Sequence, residues 1–147
     1  MAGETTTYSF ADVNMVISHP AMGAYEMNGE GIGSVSVTMS TDKSVHDVAA
    51  DGSVMVSKVA GDNAQIDVET QQTSSLHKWL LAYYNFILIS SARYWATASI
   101  TIIDKVSGET IEALEVSPLK KADKSYQAQG QRVTWQFLSA NCQSVPF

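Results

Sequence analysis

The segment Thr73–Ser91 constrains the fold most, because it is the only long stretch whose apolar residues recur at helical spacing. Nearly every side of the predicted helix is apolar, and only His77, Lys78 and Asn85 would form a polar face. Such a helix is normally covered on both sides. A chain of 147 residues has few elements to cover it, so we expect a second copy of the chain to do so. A core helix with a broad apolar face in a monomer is the alternative.

Two groups of residues are the candidates for this contact between copies. The helix contributes large apolar side chains, and the glycine-rich stretch Ala21–Gly33, which has neither helical nor strand periodicity, is predicted to be a long loop with adaptable methionines. The seven interface candidates are Trp79, Tyr83, Phe86, Leu88, Met22, Tyr25 and Met27. The helix is expected to be N-capped by one of Thr73, Ser74 or Ser75, and its C-terminal end carries no glycine stop signal.

Composition supports an assembling protein. Charged residues make up 16% of the chain, against roughly 25% in typical soluble domains, which fits a surface largely covered by other chains. Residues 1–75 hold ten acidic and two basic residues, a net charge of −8, whereas residues 76–147 hold five acidic and seven basic residues, a net charge of +2. This asymmetry favours head-to-tail contacts or a channel of one sign. It disfavours a nucleic-acid-binding groove, which needs a basic stripe.

Short strands are predicted on both sides of the helix. Ser34–Ser40 and Ala64–Thr70 alternate most cleanly, with Val35, Val37, Ile66 and Val68 inward. Their outward faces consist of Ser34, Ser36, Thr38 and Ser40 on one strand and Gln65, Asp67 and Glu69 on the other. Further strands are predicted at Tyr8–Ser18, Val45–Ala50, Val54–Val59, Thr97–Asp104, Glu109–Val116, the lysine-rich Leu119–Ser125 and Arg132–Leu138. The pattern predicts one domain, residues 1–147, that is mainly β (α+β), with many short antiparallel strands and one helix, preceded by a flexible arm, Met1–Thr7.

The sequence carries no arrangement typical of catalysis. His19, His46 and His77 lack paired metal-ligand spacing, and the single Cys142 forms neither an intrachain disulfide nor a thiolate zinc site. Asp67 and Glu69 share one strand face, but carboxylates at this spacing are common on solvated strands. We therefore expect no catalytic residue, no metal and no cofactor. We also expect no signal peptide, no membrane-spanning segment and folding in a reducing cytoplasm.

Several ordered fragments together resemble the tail tube proteins of contractile-tailed bacteriophages. The fragments are Tyr8–Ser18, Asp51-Gly52, Leu81–Phe86, Ser90–Ala92 with Trp95, Ser99–Asp104 with Gly108, Lys120-Lys121, Ser125-Tyr126 and Val133–Phe137. The resemblance implies two packed, roughly orthogonal antiparallel β-sheets, which form a β-sandwich or half-barrel flanked by one helix. It further implies a structural virion protein that is made in the host cytoplasm and located in the tail. Six copies would form a ring, and stacked rings would form a hollow tube whose continuous barrel conducts DNA during ejection without binding it specifically. The implied partners are the sheath, baseplate and tail terminator proteins.

With that resemblance, the two polar strand faces become candidates for the channel lining, and carboxylates repeated around a ring would make the channel negative. Ring stacking is expected to use Met1–Thr7 and the Ala21–Gly33 loop. Two alternatives stay open. One is a tube of the same architecture from a secretion or contractile injection apparatus that carries protein, and the other is a small β-sandwich binding module.

Overall fold

The computed structural model describes residues 13–27 and 32–146. Nine strands and one α-helix follow each other along this part of the chain, with a short 3₁₀ helix, Ala92–Tyr94, after the α-helix. The elements are β1 Val13–His19, β2 Gly23–Met27, β3 Ile32–Met39, β4 Ser44–Val48, β5 Val54–Lys58, β6 Ala64–Gln71, α1 Ser75–Ile89, β7 Ala98–Asp104, β8 Thr110–Pro118 and β9 Arg132–Val145.

Seven of these strands form one antiparallel sheet in the order β2-β1-β7-β8-β9-β6-β3, and β4 and β5 form a separate antiparallel hairpin. The long strand β9 joins the two parts of the sheet, because its first half pairs with β6 and its second half pairs with β8. The sheet is open, with β2 and β3 at its edges. The predicted class, mainly β with two antiparallel sheets and one flanking helix, is confirmed.

The core lies between one face of the sheet and α1. Alternate residues of β6 and β9 point into it, so Ile66 and Val68 of β6 meet Phe137 and Trp135 of β9 across register pairs. Helix α1 adds the buried residues Leu76, Leu80, Tyr83 and Ile87, which have the predicted helical spacing. His77, which the sequence places on the polar face of the helix, is also buried, because it lies against Trp135 of β9. Fully burying a side chain of this size contributes on the order of 1.5–3 kcal/mol. The helix therefore covers this face of the sheet and leaves the opposite face to solvent.

Local hydrogen bonds set the ends of α1. The side chain of Ser74, one of the three expected N-caps, accepts from the backbone N–H of His77 at 3.2 Å. At the other end, where the sequence has no glycine, the Ser90 hydroxyl donates to the carbonyl oxygen of Phe86 at 2.6 Å. This bond occupies one of the carbonyl groups that a helix end leaves without an intrahelical partner.

Three predicted segments differ from the structure. The stretch predicted as the loop Ala21–Gly33 contains β2, which pairs with β1 and places Tyr25 opposite Ile17. The five residues of β2 show no alternation of apolar and polar side chains, so their strand conformation follows only from the pairing with β1. The lysine-rich stretch predicted as a strand, Leu119–Ser125, is irregular, and β9 extends beyond Leu138 to Val145 because β8 continues the pairing. Residues 28–31, the arm Met1–Thr7 and the start of the predicted strand Tyr8–Ser18 lie outside the described residues.

A bulge in β8 changes which residues face the core. Ala98 and Ile100 of β7 pair with Val116 and Ala113, so β8 has one extra residue here, and Glu115 takes a positive φ of 54°. Ala113 and Val116 are consequently both buried although they are three positions apart. Bulges of this kind bend a strand and redirect its side chains. A strict alternation read from the sequence therefore fails at this point.

Candidate assembly surfaces

The uncovered face of the sheet is polar across three adjacent strands. In the β3–β6 register Ser34 lies opposite Glu69, Ser36 opposite Asp67 and Thr38 opposite Gln65. These are six of the seven residues predicted to line a channel, and the pairing brings all six onto one face. Thr134 and Gln136 of β9 continue the same face, because they pair with Glu69 and Asp67. Ser40 lies just beyond β3, where its N–H donates to the carbonyl oxygen of Asn63 at 3.0 Å.

One basic side chain and one amide interact with the carboxylates of this face. The Arg132 guanidinium donates to the Glu69 carboxylate at 2.9 Å, and the Gln65 amide donates to Asp67 at 3.0 Å. Gly33 leaves room for the ion pair, since a Cβ there would lie 2.6 Å from an Arg132 nitrogen and 2.9 Å from a Glu69 oxygen. The face is thus less acidic than its two sequence-predicted carboxylates indicate. Arg132 supplies the compensating charge. The pairing of β6 with β9, which the sequence does not show, brings it beside Glu69.

A cleft of about 460 Å³ lies at the border of this face, between β9 and the irregular segment after β8. Its lining combines both signs of charge with small polar groups: Lys120, Ala122, Asp123, Arg132, Thr134 and Gln136. Lys120 contacts the Asp123 carboxylate at 3.4 Å, and both side chains are more than half exposed. Exposed pairs of this kind contribute little to stability. The cleft therefore extends the polar face and carries no chemistry of its own.

The helix offers a smaller apolar surface to another chain than its sequence predicts. Tyr83 has no exposed surface, because its own chain already covers it. Trp79 stacks on Tyr83, and Phe86 packs edge-on against the His19 ring with centroids 6.0 Å apart, which leaves both half-buried. Leu88 is 56% exposed, which leaves it free for the predicted contact.

The remaining interface candidates lie at the β1–β2 edge of the sheet. Met22 and Tyr25 are half-buried against the core, and the Tyr25 hydroxyl makes a hydrogen bond with the Ser75 hydroxyl at the start of α1. Tyr25 also lies 6.0 Å from the Trp79 ring, centroid to centroid. These contacts attach β2 to the helix within the chain. The side chain of Met27 lies outside the described residues.

The β4–β5 hairpin is an exposed surface that sequence reasoning placed correctly and did not single out. It turns at Asp51-Gly52 as predicted, with Gly52 at a φ of 87°, which an L side chain rarely adopts. All ten of its strand residues are exposed. Five of them are large apolar side chains with exposed fractions between 51% and 66%: Val45, Val48, Val54, Met55 and Val56. An isolated two-stranded ribbon is at best marginally stable in water, so this one is suited to packing against another chain.

Buried polar groups belong to the support of the fold. The Trp135 indole N–H donates to Nδ1 of His77 at 3.1 Å, and both residues are buried. Burial, with smaller contributions from the positive charges of Lys124 and Lys121, lowers the pKa of His77 below its usual 6.5. Burial also raises the pKa of Tyr83 to about 12 and that of the Cys142 thiol above its usual value. These shifts keep all three groups neutral near pH 7.

Among residues 13–27 and 32–146, no group of three or more His, Cys, Asp or Glu side chains is arranged to hold a metal ion. No helix in the same part of the chain is long and apolar enough to cross a membrane. What the chain presents is a sheet with a helix on one face, an open polar face on the other, and a projecting apolar hairpin. Exposed apolar surface next to polar surface is typical of proteins that contact other chains.

The chain belongs to the bacteriophage PhiTE tail tube protein family, whose sequence model matches residues 5–145. A comparison with curated protein sequences gives no match.

Solved structures of contractile injection systems share the fold. A chain in the sheath/tube terminator of an extracellular contractile injection system, in the extended state, aligns with a TM-score of 0.60 and 12% identity over 98% of this chain and 99% of that chain. A chain in the tube terminating cap of the anti-feeding prophage aligns with a TM-score of 0.59 and 7% identity over 100% and 95% of the two chains. A chain in the sheath–tube complex of the first system aligns with a TM-score of 0.52 and 12% identity, over 90% and 88%. At these identities the likeness establishes the fold alone.

Proposed function

We propose that the chain forms six-membered rings that stack into the inner tube of a contractile phage tail, and that phage DNA passes through this tube. Membership of a tail tube family supports the tube. The arrangement of the chain within the tube is inferred from the difference between the two faces of the sheet. Helix α1 covers one face, while the other presents small hydroxyl groups and a few charges over three strands. The polar face lines the channel, and the helix faces outward, toward the sheath.

A wall of this chemistry suits DNA in transit. Asp67, Glu69 and Arg132 together carry a net charge of −1 per copy, and Glu69 is paired with Arg132. Phosphates are therefore weakly repelled, and the repulsion acts over the Debye length of about 8 Å at physiological salt. A basic wall would instead hold DNA through counterion release. The polar face and the hairpin would also suit a tube that carries protein, or a terminator that ends the tube. The solved structures with this fold favour these two functions as second candidates.

Thiol labelling of assembled tubes tests which face lines the channel. Ser36→Cys places a thiol on the polar face, and Lys78→Cys places a matched thiol on the exposed side of α1. The native thiol gives little background, because Cys142 is buried and its pKa is raised. In free subunits both new thiols should react with a small maleimide and with one carrying a large polyethylene glycol chain.

In tubes, the Ser36→Cys thiol should react with the small reagent but resist the large one, whereas the Lys78→Cys thiol should react with both while no sheath is present. Free reaction of Ser36→Cys with the large reagent would place the polar face on the outside and refute the arrangement. Negative-stain microscopy of the purified chain tests the assembly itself. Long tubes support a tube protein, single capped rings support a terminator, and isolated subunits contradict both.

A Lys substitution tests DNA passage. Asp67→Lys should leave tube length unchanged and slow DNA ejection from phage, and Asp67→Asn serves as the control for loss of the carboxylate without added positive charge. Ejection at the normal rate with Asp67→Lys would show that the charge at position 67 does not affect DNA passage.

A further inference from the structure

The tip of the β4–β5 hairpin is both apolar and acidic. Asp47 in β4 and Asp51 in the turn lie beside the exposed apolar side chains, and the tip from His46 to Val56 contains no Lys or Arg. The N–H and hydroxyl of Ser53 donate to Asp51 at 3.0 and 2.6 Å. These bonds lower the pKa of Asp51. The hairpin tip, residues 46–56, therefore presents negative charge at every physiological pH.

A second exposed segment has the complementary character. The basic loop, residues 119–126, follows β8 and carries Lys120, Lys121 and Lys124 against a single acidic residue, Asp123. It also exposes apolar surface, with Leu119 47% and Tyr126 80% exposed. The Lys124 ammonium lies 5.2 Å from the centre of the Tyr126 ring. An exposed aromatic ring beside lysines forms a contact surface for a partner that is itself both apolar and acidic.

The two segments lie at opposite ends of the same strands. The hairpin leaves the sheet after Met39 and returns at Ala64, which is the start of β6. The basic loop begins beside the middle of β9, where the Leu119 N–H donates to the carbonyl oxygen of Gln136 at 2.9 Å, and it runs toward the end of β6, where Gln71 pairs with Arg132. A strand of eight residues is about 23 Å long at roughly 3.3 Å per step. Each copy therefore carries an acidic apolar projection at one end and a basic apolar surface at the other.

Contacts elsewhere in the chain fix the basic loop at that end. The Gln72 side chain donates to the carbonyl oxygen of Ser125 at 3.4 Å, and the Gln72 N–H donates to the carbonyl oxygen of Gln131 at 3.0 Å. Lys121 and Lys124 lie close enough to the first turn of α1 for their charge to act on His77. The second half of the loop is thus tied to the start of the helix, away from the hairpin.

We propose that the hairpin tip of one copy docks on the basic loop of a copy in the next ring. The inference rests on the proposed tube, and it assigns the two surfaces that join successive rings. Different surfaces of identical subunits form a head-to-tail contact, which repeats without closing and so builds a stack of any length. Asp47 and Asp51 meet Lys121 and Lys124, while the apolar hairpin side chains cover Leu119 and Tyr126. A sheath protein as the occupant of the basic loop is the outcome that would exclude this contact.

Charge exchange tests the contact directly. Lys121→Glu and Asp47→Lys should each raise the protein concentration needed for tubes by about tenfold or more, because facing like charges strongly disfavour an interface. The double variant, with both changes, should recover tubes because the pair is restored in reversed order. The matched controls Lys105→Glu and Glu109→Lys reverse exposed charges in the β7–β8 turn and should assemble like the unchanged chain. Circular dichroism of the free subunits establishes that each variant is folded.

Disulfide trapping provides a second measurement. In tubes of the double variant Asp51→Cys with Lys121→Cys, a mild oxidant such as copper phenanthroline should remove two electrons and two protons from each facing thiol pair. Non-reducing electrophoresis would then show a ladder of linked copies. Asp51→Cys with Lys105→Cys, and each single variant, should give no ladder.

The outcomes separate the two proposals. A ladder together with charge rescue supports the docking. Tubes that form normally from the single charge variants, without a ladder, overturn the docking and leave the tube intact. Tubes that form normally but no longer bind sheath, when Lys121 is reversed, assign the basic loop to the sheath and also overturn the docking. An unchanged chain that forms neither rings nor tubes overturns the proposed function and this inference together.

Discussion

Acid is expected to destabilise the fold through His77. Because its Nδ1 accepts the Trp135 indole N–H, the neutral ring carries its proton on Nε2, a buried atom with no hydrogen-bond partner within the described residues. Protonating Nδ1 would break the bond to Trp135 and place a charge in the core. The pKa of His77 is accordingly lowered in the folded chain, whereas in the unfolded chain it takes the usual value of 6.5.

The sign follows from which state binds the proton. Below pH 6.5 the unfolded chain is protonated at His77 and the folded chain is not, so the free energy of unfolding falls as the pH falls, until the folded pKa is reached. The slope is at most about 1.4 kcal/mol per pH unit. The largest loss that one histidine can contribute between pH 7.5 and pH 5.0 is about 2 kcal/mol, or about 4–8 °C in melting temperature for a domain of this size.

The measurement is urea unfolding at pH 7.5, 6.5, 5.8 and 5.0. Light scattering at each pH verifies that the assembly state is the same. His77→Asn is the matched variant, since its side-chain oxygen can accept from Trp135 near the Nδ1 position but does not titrate. The unchanged chain should lose up to about 2 kcal/mol more than His77→Asn over this range.

His77→Leu is the second control. It removes the acceptor and leaves the Trp135 N–H buried, which is expected to lower stability by about 1–3 kcal/mol at every pH. Identical pH dependence of the unchanged chain and His77→Asn would refute the reasoning, because it would mean that His77 binds its proton equally well in both states.

Three further substitutions test other parts of the structure. Leu88→Asp is expected to change the free energy of unfolding of the subunit by no more than about 0.5 kcal/mol, because the site is exposed, yet to prevent assembly seen by light scattering. Lys78→Asp on the same helix is its control, and normal tubes from Leu88→Asp would exclude the end of α1 from the contact. Tyr83→Phe removes a buried hydroxyl without a partner in the described chain. It is expected to leave the free energy of unfolding in urea unchanged or to raise it by up to about 1 kcal/mol, and a clear loss of stability would show that the hydroxyl is bonded. Glu115→Gly removes the strain of a side chain at the positive φ in β8 and is expected to raise the free energy of unfolding by about 0.5–1 kcal/mol. Glu115→Ala keeps the Cβ and should give no such gain. Equal stabilities of the two variants would show that the bulge is unstrained.

Local pattern and composition determined a large part of this protein. The spacing of Leu76, Leu80 and Ile87 identified the helix and its buried stripe, since a residue's place on a helix depends only on the 3.6-residue period. Clean alternation identified β3 and β6, and Asp51-Gly52 identified the hairpin turn. The ordered fragments along the chain were enough to indicate the tail tube family, which the family match confirms.

Tertiary structure decided what depends on partners distant in the chain. Strand β2 exists because β1 pairs with it, and β9 reaches Val145 because β8 accompanies it. The register of β3 on β6 brought the predicted polar residues onto one face, but that same face acquired Arg132 beside Glu69 from a strand more than sixty residues away. Burial of Tyr83 by its own chain, and exposure of the β4–β5 hairpin, were likewise fixed by packing. A sequence shows which residues prefer to be covered, and only the folded arrangement determines whether the same chain or a second one covers them.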